Sequence, residues 1–166
     1  MSASAAPALD PENTIYLDIP AGRVVIQLRP DLAPNHVVRI KELTRQKFYD
    51  GIAFHRVIPG FMAQTGDPRG DGTGGSGQKL KAEFNKEHHA RGTVSMARAA
   101  SPDSGDSQFF ICFADAGYLD GQYTVWGQVV SGMEFVDQIK AGSSSNNGSV
   151  KDPTKIVQMR VAVDVK

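Results

Sequence analysis

A chain of 166 residues, 40% of them hydrophobic, can close one core and is too short for two full domains. Lysine plus arginine balances aspartate plus glutamate at 18 each, so no global field gathers nucleic acid or an anionic membrane, and neither is expected as a partner. No stretch approaches the ~20 apolar residues that a membrane-spanning helix needs, and the single cysteine, Cys112, excludes an internal disulfide and fits a reducing, cytoplasmic setting.

Residues 1–12 are rich in Ala, Ser and Pro and lack the cationic and apolar regions of a signal peptide, so a flexible tail is expected there, followed by one domain over 13–166. Thr14 to Ile19 and Arg23 to Arg29 read as a first hairpin, turned at Pro20-Ala21-Gly22. The spacing of Val37, Ile40, Leu43 and Thr44 predicts a helix over Pro34 to Lys47, with Pro34 tolerated in its first turn. Ile52 to Ile58 and Phe61 to Thr65 form a second strand pair around Pro59-Gly60. Further strands are expected at Thr93 to Arg98, Gln108 to Phe113, Thr124 to Val130 and Lys155 to Val165. A second helix is expected over Gly132 to Lys140, bringing Phe135, Val136 and Ile139 together. Two helices cannot sheathe a parallel sheet, so the expected fold is mainly β, a closed eight-stranded antiparallel β-barrel capped by two α-helices. Asp67 to Lys79 and Ala99 to Ser107 remain as long loops, and Ala141 to Pro153 reads as a plain surface connection.

Gly72, Gly74 and Gly77 satisfy the spacing of a dinucleotide loop, but a strand-like Lys79 to Phe84 follows where a helix N-terminus is required, and Gln78 stands where a phosphate loop needs lysine. His36, His55, His88 and His89 show no metal-ligand spacing, and the adjacent His88 and His89 would point apart on an extended backbone. No G-x-S-x-G elbow is present, and Cys112 sits in an apolar strand. No metal or cofactor is therefore expected. What stands out is Phe54 to Gln64, where strand periodicity sets Arg56 beside Phe61, Met62 and Gln64. By itself this reads more simply as an arginine on a rim, paired with an acid.

That stretch, continued by Gly66-Asp67, Gly72-Thr73-Gly74-Gly75, Ser95-Met96-Ala97, Ser107 to Ile111 and Leu119-Asp120-Gly121, resembles the cyclophilins in the same order over roughly residues 14 to 165. The resemblance implies an eight-stranded barrel with two helices and a proline-binding groove on its outer wall. It implies Arg56 as catalytic donor, Phe61, Met62, Phe110 and Leu119 as the proline pocket, and Gln64 and Gln108 as contacts to the substrate backbone. His55, Met96 and Ala97 also match groove positions. The chain departs from the best-known eukaryotic members at Arg98, Tyr118, Tyr123 and Trp126, a pattern similar to bacterial relatives. Tyr118 replaces a tryptophan that contacts cyclosporin, so cyclosporin-like cyclic peptides are expected to bind with reduced affinity.

The implied activity is peptidyl-prolyl cis/trans isomerisation during protein folding, by a monomer acting on proline-containing polypeptides. Peptide-bond rotation is slow because of a resonance barrier of ~18–20 kcal/mol, and no bond is broken on the way. Half-way through the turn the nitrogen regains its lone pair, and a guanidinium aimed at it gains a hydrogen bond that the planar amide cannot offer. The alternative from a different class is a non-catalytic module or holdase that captures proline segments in the same groove. It has no need of Arg56.

Overall fold

The computed structural model describes residues 10–165. Eight strands form one antiparallel sheet: β1 (Thr14–Ile19), β2 (Gly22–Leu28), β3 (Arg56–Ile58), β4 (Met62–Thr65), β5 (Thr93–Met96), β6 (Phe109–Cys112), β7 (Val125–Ser131) and β8 (Gln158–Val161). Their order in the sheet is β3-β4-β6-β5-β7-β2-β1-β8. The expectation of a closed barrel is met only as far as this eight-stranded sheet. Its two end strands share no continuous ladder. Instead the segments before them approach, with an isolated Ala53–Lys155 bridge and amides of Gly51 and Phe54 donating to the carbonyls of Ile156 and Thr154 at 2.8 Å.

Alternation along the strands sorts side chains to two faces. On β6, Phe109 and Ile111 join the main core with Tyr49, Phe54, Val57, Ala63 and Trp126, while Phe110 and Cys112 point to the opposite face. Rings of Phe109, Tyr49 and Trp126 meet edge to face at 5.3 to 5.5 Å, the packing their quadrupoles prefer. Full burial of each large apolar side chain there stabilises the fold by about 1.5–3 kcal/mol.

Helix α1 (Pro34–Arg45) buries Val37, Ile40, Leu43 and Thr44, as its spacing predicts, together with His36. No side chain of its own caps it. The Glu83 carboxylate accepts from the amides of Asn35 and His36 at 3.1 and 2.8 Å and from His36 Nδ1 at 2.6 Å, so a remote loop satisfies the orphan donors of the first turn. Helix α2 is only Met133–Val136, shorter than the expected Gly132 to Lys140, because the following amides bond three residues back and tighten into turns.

Five expected strands are also trimmed. Of Ile52 to Ile58 only Arg56–Ile58 pairs continuously, since Gly51 to Phe54 bond toward the β8 side. Lys155 to Val165 reduces to Gln158–Val161, the four residues that register with Asp18 to Ile15 of β1. Beyond them the chain enters a 3-10 turn, and Val157 and Val163, which alternate in step with the buried Met159 and Val161, are 60% and 51% exposed. Lys79 to Phe84 is no strand, having a single bridge from Leu80 to Gly105. Of the tail expected over 1–12, residues 1–9 lie outside the described residues, and Pro11–Asn13 form a 3-10 turn capped by the Asp10 carboxylate. Among the described residues no helix is long and apolar enough to cross a membrane, and no group of three ligating side chains could hold a metal ion.

Candidate active site

The β3–β4 hairpin pairs Arg56 with Gln64, Val57 with Ala63 and Ile58 with Met62. Because Val57 and Ala63 belong to the core, Arg56, Met62 and Gln64 must emerge on the outer face. Register then brings Phe110 of β6 opposite Gln64, and Ser95 of β5 opposite Phe110. A 3-10 turn over Gly117–Leu119 adds Leu119. The result is a second, smaller apolar cluster on the outer face of the sheet, in which Met62, Phe110, Cys112 and Ala116 are buried and Phe61, Ala97, Leu119 and Tyr123 are partly covered.

This cluster floors an open hollow of about 120 Å³ lined by Arg56, Phe61, Met62, Gln64, Ala97, Arg98, Phe110, Leu119 and Tyr123. The sequence-predicted residues it brings together are thus these nine. Phe110 is clamped from behind: the His89 ring stacks on it at 6.2 Å and the Tyr123 ring meets it edge-on at 5.7 Å. His89 is itself fixed, with Nδ1 2.9 Å from Asp120 Oδ1 and Nε2 3.0 Å from Ser95 Oγ. Burial lowers its pKa against the pull of Asp120. The Arg98 guanidinium lies 4.7 Å from the centre of the Tyr123 ring, a cation–π distance.

Four expected site residues fall elsewhere. Met96 is 2% exposed and packs in the main core, because its strand neighbour Ser95 takes the outward register. His55 is buried and lines neither hollow; among the described residues neither ring nitrogen has a hydrogen-bond partner, and burial lowers its pKa. Tyr118 stands 66% exposed outside the hollow, its ring 5.9 Å from that of Phe61. Gln108 lines a neighbouring hollow instead. Its Oε1 accepts from Gln64 Nε2 at 2.9 Å, and its Nε2 donates to the carbonyls of Gly72 and Gly74 at 3.0 Å. The two glutamines expected to hold a substrate backbone are therefore bonded to each other and to the glycine loop.

The glycine run serves this tether. Asp67 accepts from the amides of Arg69, Asp71 and Gly72, and a Cβ at Gly74 would overlap its carboxylate. A Cβ at Gly75 would lie 2.6 Å from Asp106 Oδ2. Burial pulls the Asp67 pKa up, but the converging amides outweigh it and hold the carboxyl below its ordinary value.

Among the described residues Arg56 is held by three acceptors and by no carboxylate. Nη1 donates to Gln64 Oε1 at 3.1 Å, Nε to the Asn147 carbonyl at 3.0 Å and Nη2 to Asn147 Oδ1 at 3.1 Å. Asn147 is the functional residue that sequence reasoning missed, since the stretch from Ala141 to Pro153 reads as a surface connection. One signal was there to find it: the dipeptide Asn147-Gly148 favours consecutive left-handed residues, and their φ values are 55° and 77°. Gly148 is needed for space as well. A Cβ there would come within 2.6 Å of Ile58 Cγ1 and 3.2 Å of Arg56 Cγ, because the Gly148 carbonyl accepts from the Val57 amide.

The family model "Cyclophilin type peptidyl-prolyl cis-trans isomerase/CLD" matches residues 14–161. A probable peptidyl-prolyl cis-trans isomerase of Brucella suis is 55% identical over an alignment that covers 97% of this chain and 88% of that one. Peptidyl-prolyl cis-trans isomerase B of Bacillus subtilis is 44% identical over 72% of this chain and 85% of its own. Among solved structures, a cyclophilin from Hirschia baltica superposes with a TM-score of 0.85 at 27% identity, covering 95% of this chain and 77% of that one. A cyclophilin-type isomerase of Cryptosporidium parvum, crystallised in the presence of the dipeptide Ala-Pro, gives 0.82 at 27% identity, covering 89% and 98%.

Proposed function

The chain belongs to the cyclophilin-type peptidyl-prolyl cis-trans isomerase family, and from that premise we propose that it rotates X-Pro bonds in the outer hollow with Arg56 as the catalytic donor. One observation carries the reading: a guanidinium with no carboxylate partner among the described residues is held by neutral acceptors at the edge of a small hollow floored by apolar side chains. An arginine kept as a rim ion pair would spend its charge on an acid, as Arg23, Arg91 and Arg160 do here. Neutral anchors fix the fork while leaving its charge for a substrate.

In this reading Phe61, Met62, Phe110 and Leu119 receive the pyrrolidine ring, and its burial excludes water from beside Arg56. A falling local dielectric strengthens the contact between the guanidinium and the pyramidalising nitrogen. Arg56 donates to that nitrogen only in the twisted amide, so the hydrogen bond lowers the barrier without over-stabilising either planar isomer. Gln64 and Gln108 act chiefly as a relay that ties Arg56 to the glycine loop. Proline is the residue served because only its preceding bond populates cis appreciably, about 10–30% in unfolded peptides.

The same reading has the protein acting as a monomer on proline-containing chains during folding, in the reducing cytoplasm that a free, buried Cys112 suits. Cyclosporin-like cyclic peptides bind weakly in it, since the Tyr118 ring leans on Phe61 alone. The test is NMR exchange spectroscopy on a short Ala-Pro peptide. Wild-type protein gives cis/trans cross-peaks, and Arg56→Ala lowers the exchange rate by about 100-fold or more, the usual cost of losing a preorganised donor. Binding without exchange in the wild type would leave a capture module, and an unchanged rate in the variant would remove Arg56 from the chemistry.

A further inference from the structure

Six of the nine arginines, Arg23, Arg29, Arg39, Arg45, Arg91 and Arg160, pair with a carboxylate within 4.0 Å. Among the described residues the remaining three, Arg56, Arg69 and Arg98, have no such partner, and all three line the groove. Arg56 is accounted for by the isomerase reading. Arg69 and Arg98 share a second, open hollow of about 540 Å³, which joins the first through Gln64, Ala97 and Arg98.

This hollow has more cationic charge than its own walls neutralise. Lys79 lines it as well, without a carboxylate within ion-pair distance among the described residues. The one acid on its wall, Asp106, is engaged: Oδ1 accepts from the Ser76 amide at 2.8 Å and from its hydroxyl, and Oδ2 from the Gly77 amide at 3.1 Å. Asp71 is near enough to interact with Arg69 through space, but its hydrogen bonds go to Thr73. The Arg69 stem passes close over the loop, since Arg69 Cγ would be 3.0 Å from a Cβ at Gly74. Arg98 is braced by carbonyls of Gln122, Ala99 and Ala100 and by the Tyr123 ring, none of which removes its charge.

We infer that this hollow selects substrate segments carrying a carboxylate side chain, Asp or Glu, close to the proline, with Arg69 and Arg98 as the specificity-determining residues and Lys79 adding to the field. The inference rests on the proposed isomerase site, because it needs a proline seated in the adjoining hollow. A substrate carboxylate supplies the counter-charge the walls lack, and it does so at a half-exposed surface where such a pair changes affinity by a small factor.

The experiment uses the full chain and peptides built around Ala-Pro, with Glu, Gln or Lys at each of the two residues before and after that dipeptide. At one flanking position, kcat/KM from exchange NMR is about 3- to 5-fold higher for Glu than for Gln and lower again for Lys, the range of an exposed ion pair. The spread collapses at about 0.5 M salt, as screening requires. Arg69→Gln brings the Glu-to-Gln ratio toward one, and Arg69→Glu turns the preference toward Lys. Equal rates for Glu, Gln and Lys at every position would overturn the inference while leaving the isomerase reading intact, and so would a Glu preference that persists in Arg69→Glu. No exchange of any Ala-Pro peptide by the wild type would overturn both.

Discussion

Replacing Asn147 by glycine isolates one of the three bonds that hold Arg56. The substitution keeps the left-handed backbone, whose φ is 55°, and keeps the carbonyl that accepts from Nε, but it deletes the Oδ1 that accepts from Nη2 at 3.1 Å. A hydrogen bond to a charged group contributes about 1.5–3 kcal/mol when sheltered, and this one is exposed, so about 1 kcal/mol of positioning is lost. If that loss falls on the transition state, the rate drops about 5-fold, since 1.36 kcal/mol is tenfold. The assay is cis/trans exchange on a short Ala-Pro peptide at several concentrations. The expected result is a lower kcat with KM within about twofold, because the apolar walls that bind the ring are untouched. Arg56→Ala combined with Asn147→Gly is then no slower than Arg56→Ala alone, since the anchor acts only through the guanidinium. A wild-type kcat in Asn147→Gly, or the same 5-fold loss on top of Arg56→Ala, would refute the idea that this loop positions the arginine.

Two further outcomes test the surroundings of the groove. Hydrogen bonds from both ring nitrogens to Asp115 and Asp120 push the His88 pKa up from 6.5 to about 9, so its contribution to stability is present below about pH 6.5 and is lost as pH rises through about 9. Thermal unfolding of wild type and His88→Asn should therefore differ most at about pH 6 and converge by about pH 10; a gap independent of pH would exclude the doubly bonded imidazolium. Burial pushes the Cys112 thiol up to about 12, so an aromatic disulfide reagent should leave the native protein unmodified at about pH 8 and titrate one thiol after denaturation. Rapid labelling of the native protein would contradict the packing of Cys112 beside Met62 and Phe110.

Legibility in the sequence followed how local each feature is. The β1–β2 hairpin was readable because alternation and the Pro20-Ala21-Gly22 turn coincide, and the observed register pairs Ile19 with Gly22. The helix α1 was readable because four apolar-face positions repeat at helical spacing. By contrast Val157 and Val163 continue the alternation of β8 without being buried, since strand length is decided by how far β1 extends beside it. In the site, Arg56, Phe61, Met62 and Gln64 were legible from one hairpin. Asn147 was less so: the Asn147-Gly148 dipeptide marks a turn, but that the turn meets Arg56 depends on a return across 91 residues. Gln64 and Gln108 looked like free amides because their mutual bond depends on β4 and β6 being neighbours, a pairing across 44 residues. The glycine loop matched a dinucleotide spacing without the helix that spacing requires, which left its purpose open. In the fold its amides converge on Asp67, at the loop's own start, and on Asp106 from the neighbouring loop.

The span between Arg56 and its anchor is 91 residues. Synthesis runs from the N-terminus, so every apolar wall of the hollow, up to Tyr123, has been made before the tether for the guanidinium exists. On the proposed reading, affinity for a proline ring is complete in the earlier stretch of the polypeptide, while the power to turn its bond awaits the late Asn-Gly corner that folds back against β3 to hold Arg56.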